Sequence, residues 1–395
     1  MVVAPKSLFS IPILLLFSTF SLASSRASFN VLDYGAKMGG KIDSSKAFLD
    51  TWQAACASTT SSVVYVPKGT FLLGSKTTFA GAFCKNNVAM QIDGTLVAPS
   101  DYRVIGDDGH WIVFWQTNGM VLRGGILDGR GANLWNCKKA GKQCPIGVTN
   151  LAFSNSNNVQ IRGVTSINSQ MFHVVIHECT NVNIKGFRIS APGDSRNTDG
   201  IHLSRSSNVI VTGSTISTGD DCISISPGSS NVLVENIFCG PGHGISIGSI
   251  GAQHNEGGVQ NVTVRHCTIQ NTQNGVRIKT WAKPSSAYVK KVIFQNVTMV
   301  NAGNPIIIDQ NYRSNGQTSG VQISGVTFQH IRGTSSTKDG ISINCSRSKP
   351  CKGITLHNIN LSFGGQPGGT SCSNVFGRNV GTVVPAGCIK KSTWK

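Results

Sequence analysis

From about residue 150 onward the chain alternates apolar and polar positions in short runs: VQIRGV (159–164), VNIKGF (182–187), VIVTGS (209–214), VLVENI (232–237) and VTVRHC (262–267). A period of two puts Val, Ile and Leu on one face of a strand and the polar residues on the other, and no helix satisfies it. An Asn-Val pair opens each run, at Asn158, Asn181, Asn208, Asn231 and Asn261, with intervals of 23, 27, 23 and 30 residues. Periods of this size mark stacked repeats. One coil cannot bury its inner face alone, so neighbouring coils must stack at about 4.7–4.9 Å. The pattern therefore predicts an all-β chain wound as a right-handed parallel β-helix. The start is different: SSKAFLDTWQAAC (Ser44 to Cys56) has helical periodicity, and predicts a short N-terminal helix that covers the open end of the solenoid. No linker-like segment divides the chain beyond residue 25, so residues 26–395 read as one domain.

Three consecutive coils align without gaps. Asp199-Gly-Ile-His-Leu203, Asp221-Cys-Ile-Ser-Ile225 and His243-Gly-Ile-Ser-Ile247 begin 22 residues apart in both steps. Ile201, Ile223 and Ile245 then form one inward stack, and Leu203, Ile225 and Ile247 another. Strand parity alone would send Asp199, Asp221 and His243 inward as well. Two unpartnered carboxylates in an apolar core would cost several kcal/mol each, so a bend before each strand is expected to turn them out into a cleft. Asp220 stands beside them, at the position held by Thr198 and Gly242 in the flanking coils.

Like charges so close push at least one carboxyl pKa upward, leaving one group able to donate a proton while others act as bases. Glycosidic hydrolysis needs two such roles. Farther along, Gly275-Val-Arg-Ile-Lys279 has Val276 and Ile278 inward, so Arg277 and Lys279 face out, where a guanidinium and an ammonium suit an acidic sugar. An Asp entering a strand is often only a turn residue. Asp339-Gly-Ile-Ser-Ile343 repeats the pattern on a later coil, and Gly106-Asp-Asp-Gly-His110 imitates it without the following alternation, so Asp107 and Asp108 read as solvated.

Composition narrows the setting. The first residues carry one Lys, an apolar run from Leu8 to Leu22 broken by Pro12, and then Ala23, Ser24 and Ser25. That is the form of a secretory signal over residues 1–25, too short in its apolar run to span a membrane. All twelve cysteines come after it, which fits an oxidising compartment; Cys137 with Cys144, Cys222 with Cys239, Cys345 with Cys351 and Cys372 with Cys388 would close short loops. No zinc-type spacing occurs. Sequons stand at Asn261, Asn296, Asn344 and Asn360. The formal charge of +18 points to a polyanionic partner. Outside the cell, acidic polysaccharide fits better than nucleic acid, since the basic residues are scattered rather than interleaved with aromatics.

NTD (Asn197 to Asp199), GDD (Gly219 to Asp221), GHG (Gly242 to Gly244) and RIK (Arg277 to Lys279), in that order over 83 residues, resemble the polygalacturonases of glycoside hydrolase family 28. SAPGDSRNTDGIH, CGPGHGISIGS and NPIIIDQNY look like a plant enzyme. The resemblance implies hydrolysis of α-1,4 links between galacturonates of pectin, with inversion, by a monomer in the plant cell wall, without metal or other cofactor; endo and exo action both stay open. It also implies that Asp220 is the general acid, that Asp199 and Asp221 hold and activate water, and that His243 tunes the acid or assists binding. Asn197, Arg277, Lys279 and Tyr312 would contact substrate. Rung spacing alone would favour a close carboxyl pair and retention. One departure appears: plant relatives typically have Cys after Tyr312, where this chain has Arg313, a positive charge beside the cleft. A hydrolase of rhamnogalacturonan or xylogalacturonan, less suited to Arg277 and Lys279, a lyase of similar fold and a pectin-binding surface protein are the rival readings.

Overall fold

The computed structural model describes residues 1–4 and 26–391. Most of the predicted leader, residues 5–25, lies outside the described residues. The rest winds as the right-handed parallel β-helix that the alternation predicts, most coils contributing three strands, as in Ile201–Ser204, Ser207–Thr212 and Thr215–Ser217. One face gathers eleven strands into a sheet that runs from Thr77–Ala80 to Gly369–Ser373. The remaining faces pair coil to coil in parallel as well.

The register follows from burial. Ile201, Ile223, Ile245, Val276, Ile306 and Ile341 lie directly over one another, as do Leu203, Ile225, Ile247, Ile278, Ile308 and Ile343. All of these are fully buried. A slip of one residue would move every one of them to the outer face, at about 1.5–3 kcal/mol for each side chain exposed.

The recurrent asparagines have a backbone reason. Asn158, Asn181, Asn208, Asn231 and Asn261 all sit at corners with φ between 54° and 57°, a left-handed conformation that Asn tolerates better than most residues. Each stacks on the next: the Nδ2 of Asn181, Asn208, Asn231 and Asn261 donates to the Oδ1 of the preceding asparagine at 3.2, 3.0, 3.1 and 3.0 Å. The following Val then points inward. Among the sequons, Asn261 is thus a member of this ladder, Asn344 and Asn360 are exposed, and Asn296 is half-buried.

A helix, Ser45–Ala57, covers the first coils. It buries Phe48 and Trp52, and Trp52 lies 5.3 Å from Phe79 and 5.7 Å from Phe114. Its indole N–H, which would be costly to bury unpaired, donates to the Ala80 carbonyl at 2.7 Å. Behind it Phe79, Phe114 and Phe153 stack at 5.1 and 4.8 Å. The four short-loop disulfides are formed as the spacing suggests. A fifth, Cys56–Cys84, ties the end of the helix to the loop below it, while Cys179 and Cys267 are buried free thiols.

The ladder yields a prediction. Asn208→Ala should destabilise the protein by about 1–2 kcal/mol through left-handed strain and the lost bonds, and Asn208→Gly by less. Urea unfolding midpoints compare the two; equal losses would mean that backbone strain contributes nothing.

Candidate active site

The acidic motifs owe their shape to tight packing between turns. Thr198 Oγ1 accepts the Gly219 N–H at 3.0 Å and donates to the Ser195 carbonyl at 2.8 Å. A Cβ on Gly219 would fall 2.0 Å from the Ser195 oxygen, so only glycine lets the second turn sit on the first. Gly244 adopts φ +87°, the conformation that lets the chain turn into the strand after His243. These bends break strand parity where the sequence required it.

The three predicted column residues do turn outward. Asp199 Oδ2 accepts from Ser224 Oγ at 2.7 Å, and Asp221 Oδ1 from Ser246 Oγ at 2.8 Å. Both serines are outward strand residues one coil further on, and each bond spans 25 residues. Asp199 and Asp221 are nevertheless only 6% and 1% exposed; they are buried under polar partners, not among the isoleucines. Asp220 and His243 are more open, with 19% and 34% of their side chains exposed. His243 Nδ1 lies 2.9 Å from Asp220 Oδ1, which also accepts the Asp221 N–H at 2.8 Å.

Arg277 and Lys279 differ from the sequence expectation. They face out from their strand, but they are 9% and 8% exposed and committed to Asp221. Arg277 Nη2 donates to Asp221 Oδ1 at 2.7 Å and Lys279 Nζ to Oδ2 at 2.9 Å. Arg277 Nε also donates to Ser246 at 3.0 Å. The physical reason is that a buried carboxylate demands counter-charge, and the register delivers two cations from two coils beyond. Lys279 reaches on toward the Tyr312 ring, 5.4 Å from its centroid. Tyr312 meets Trp281 edge-on at 5.6 Å. Lys283 and Arg313 cover Trp281 at 5.0 and 5.3 Å, so Arg313 does add positive charge beside Tyr312. Asn197 stays exposed in the left-handed turn two residues before Asp199, at φ +59°.

The carboxyl with the raised pKa is Asp199. Burial lifts it most, the charges of Asp220 and Asp221 add to this, and His202, whose Nδ1 lies 3.8 Å from Asp199 Oδ2, works against them. Asp220 moves the other way: burial raises it, but the bond and charge of His243, the charge of Lys279 and the Asp221 N–H outweigh that and lower it. Asp220, Asp221 and His243 offer ligand atoms within 4.8 Å of one another, yet the two cations on Asp221 oppose a third at that spot. Asp107 and Asp108 are exposed, and Asp339 begins a strand that pairs with Asn304–Tyr312 and Gly369–Ser373. Sequence reasoning missed Ser224, Ser246, Trp281 and Lys283. The outward register carried the signal, because His202, Ser224, Ser246 and Arg277 are successive members of one column.

Comparison with known proteins shows the family. The model for "Glycosyl hydrolases family 28" matches residues 56–385. The chain is 50% identical over 391 residues to a polygalacturonase of Prunus persica, covering 97% of this chain and 99% of that one. It is 42% identical over 374 residues to an exopolygalacturonase of Platanus acerifolia, covering 92% and 98%. Among solved structures, the endo-xylogalacturonan hydrolase of Aspergillus tubingensis superposes with a TM-score of 0.77 at 22% identity, over 93% of this chain and all of that one, a likeness of fold.

The clamp on Asp221 is testable. Arg277→Met should cost about 3–5 kcal/mol, because it leaves a buried carboxylate short of counter-charge. Arg277→Met combined with Asp221→Asn should recover part of that loss in urea unfolding; strictly additive losses would mean that the two groups do not act as a pair.

Proposed function

The chain belongs to glycosyl hydrolases family 28, and from that premise we infer that it is a polygalacturonase, hydrolysing α-1,4 links between galacturonates of pectin with inversion. The observation that carries the reading is the set of three carboxyls on adjacent coils, held in three different environments. In this reading Asp220, the most open of them, protonates the leaving oxygen as the bond to the anomeric carbon breaks. Water attacks that carbon from the other side and gives its proton to Asp199, an inner carboxylate whose pKa is raised by burial and by its acidic neighbours.

Asp221 holds the water. A carboxylate has about four acceptor sites, and three are taken by Arg277, Ser246 and Lys279. One remains for a water hydrogen, and a carboxylate so engaged is a poor nucleophile; this favours inversion over a covalent intermediate. Asp220 must carry a proton to act, although His243 lowers its pKa in the open cleft. Covering the cleft with a sugar chain removes water, and desolvation favours the neutral Asp220–His243 pair over the ion pair. His243 thus stores the proton that Asp220 delivers.

Substrate carboxylates would meet the remaining N–H groups of Lys279 and Arg277 and the cations Lys283 and Arg313 beside Tyr312, with Asn197 at the opposite turn. The signal-like residues 1–25, the five disulfides and the +18 charge support a secreted protein that works as a monomer on cell-wall pectin. The chain requires no cofactor in this scheme.

Asp220→Asn should lower release of reducing ends from polygalacturonate by at least about 10²-fold with an unchanged urea midpoint, and a variant of near-normal rate would remove Asp220 from the acid role. The first product anomer should be β, seen by proton NMR before mutarotation; an initial α anomer would establish retention.

A further inference from the structure

His202 stands on the strand Ile201–Ser204, facing outward between the inward Ile201 and Leu203. Its ring lies flat on Phe172, with centroids 4.7 Å apart and planes within 9°, so its orientation is set by packing. Its Nδ1 is 2.8 Å from Ser224 Oγ and 3.8 Å from Asp199 Oδ2. A serine hydroxyl has one proton, and that of Ser224 goes to Asp199 Oδ2 at 2.7 Å. Ser224 can therefore only accept from His202. The chain of bonds runs one way, from Nδ1–H to Oγ–H to Oδ2, and it specifies which ring nitrogen carries the proton. The side chain as a whole is 21% exposed.

We propose that His202 is a positioning residue for the reaction, holding the Asp199 carboxylate through Ser224 in the orientation and ionised form needed to take the proton of water. The reach is short and the partners are buried: Ser224 is 2% exposed and Asp199 6%. In such surroundings a polarised donor chain is stronger than it would be in water. The charges that face Asp199 from the next coil, Asp220 and Asp221, both oppose its ionisation. His202 is the opposing influence on Asp199, reaching that carboxylate through the Ser224 hydroxyl. The role rests on the reading of the chain as a hydrolase.

The test separates the two ring nitrogens. Asn at position 202 can place an N–H where Nδ1 stands, and Gln can place one where Nε2 stands; both lose the stacking on Phe172 equally. His202→Asn should keep kcat within a few-fold of the wild type. His202→Gln and Ser224→Ala should each lower kcat about tenfold, the size of one lost hydrogen bond to a charged group, with little change in KM. Their acid limb should also move up in pH: Asp199 must be ionised to act, activity falls as pH drops through its pKa, and loss of the donor raises that pKa further. The double variant should be no worse than Ser224→Ala alone. Rescue by Gln instead of Asn, equal loss in both, no loss in either, or a change confined to KM would each overturn the proposal. Carboxyl-carbon NMR titration of Asp199 in the ligand-free protein gives a second readout. If the wild type fails to hydrolyse polygalacturonate, the hydrolase reading falls, while an unmoved Asp199 titration in His202→Gln sinks the inference by itself.

Discussion

In-register stacking of the coils is the constraint on which everything else rests. Each coil buries its inward aliphatic residues only by lying directly over the next, so Ile201 must cover Ile223 and Ile223 must cover Ile245. Once the inward columns are set, the outward columns are set with them, because the two faces of a strand alternate without freedom. His202, Ser224, Ser246 and Arg277 are neighbours for that reason alone. The corners obey the same spacing, which is why an asparagine in left-handed conformation can bond to the equivalent asparagine one coil away.

A solenoid of this kind gives up chemistry at its surface unless something interrupts it, and here the interruption is the pair of bends at Gly219 and Gly244. With the bend at Gly200 on the preceding coil, they lift Asp199, Asp221 and His243 out of the apolar interior while keeping them on adjacent rungs. The carboxylates then lie too close together and too deep to be tolerated without partners. Ser224 and Ser246 supply one hydrogen bond each, and Arg277 and Lys279 supply the counter-charge to Asp221. Among the described residues no Lys or Arg pairs with Asp199, which is held by Ser224 with His202 behind it; burial raises its pKa, whereas His243 and Lys279 lower that of Asp220. Carboxyls of one residue type thereby acquire opposite pKa shifts at Asp199 and Asp220 and different exposures, which is what acid–base chemistry on a glycosidic bond requires.

Much of this was legible in the residues alone. The period-two runs, the helix over Ser45–Ala57, four disulfides that close short loops and the 22-residue alignment all follow from local pattern, and local pattern is preserved when every coil repeats the same packing. Cys56–Cys84 was not legible, because its partners meet only after the helix has folded over the coil end. The duties of Arg277 and Lys279 were only half legible. Their outward direction follows from alternation, but their commitment to Asp221 depends on side chains that reach back two coils.

By itself, then, the sequence determined the winding of the chain, the inward columns and the set of residues that share one face, since these depend on alternation and spacing alone. The tertiary structure decided how deep each carboxyl lies, which cation pairs with it, which proton affinity moves up and which moves down, and which nitrogen of His202 faces Ser224. Those quantities depend on distances of a few ångströms across coils and on the exclusion of water. Neither is written in the spacing of residues along a strand.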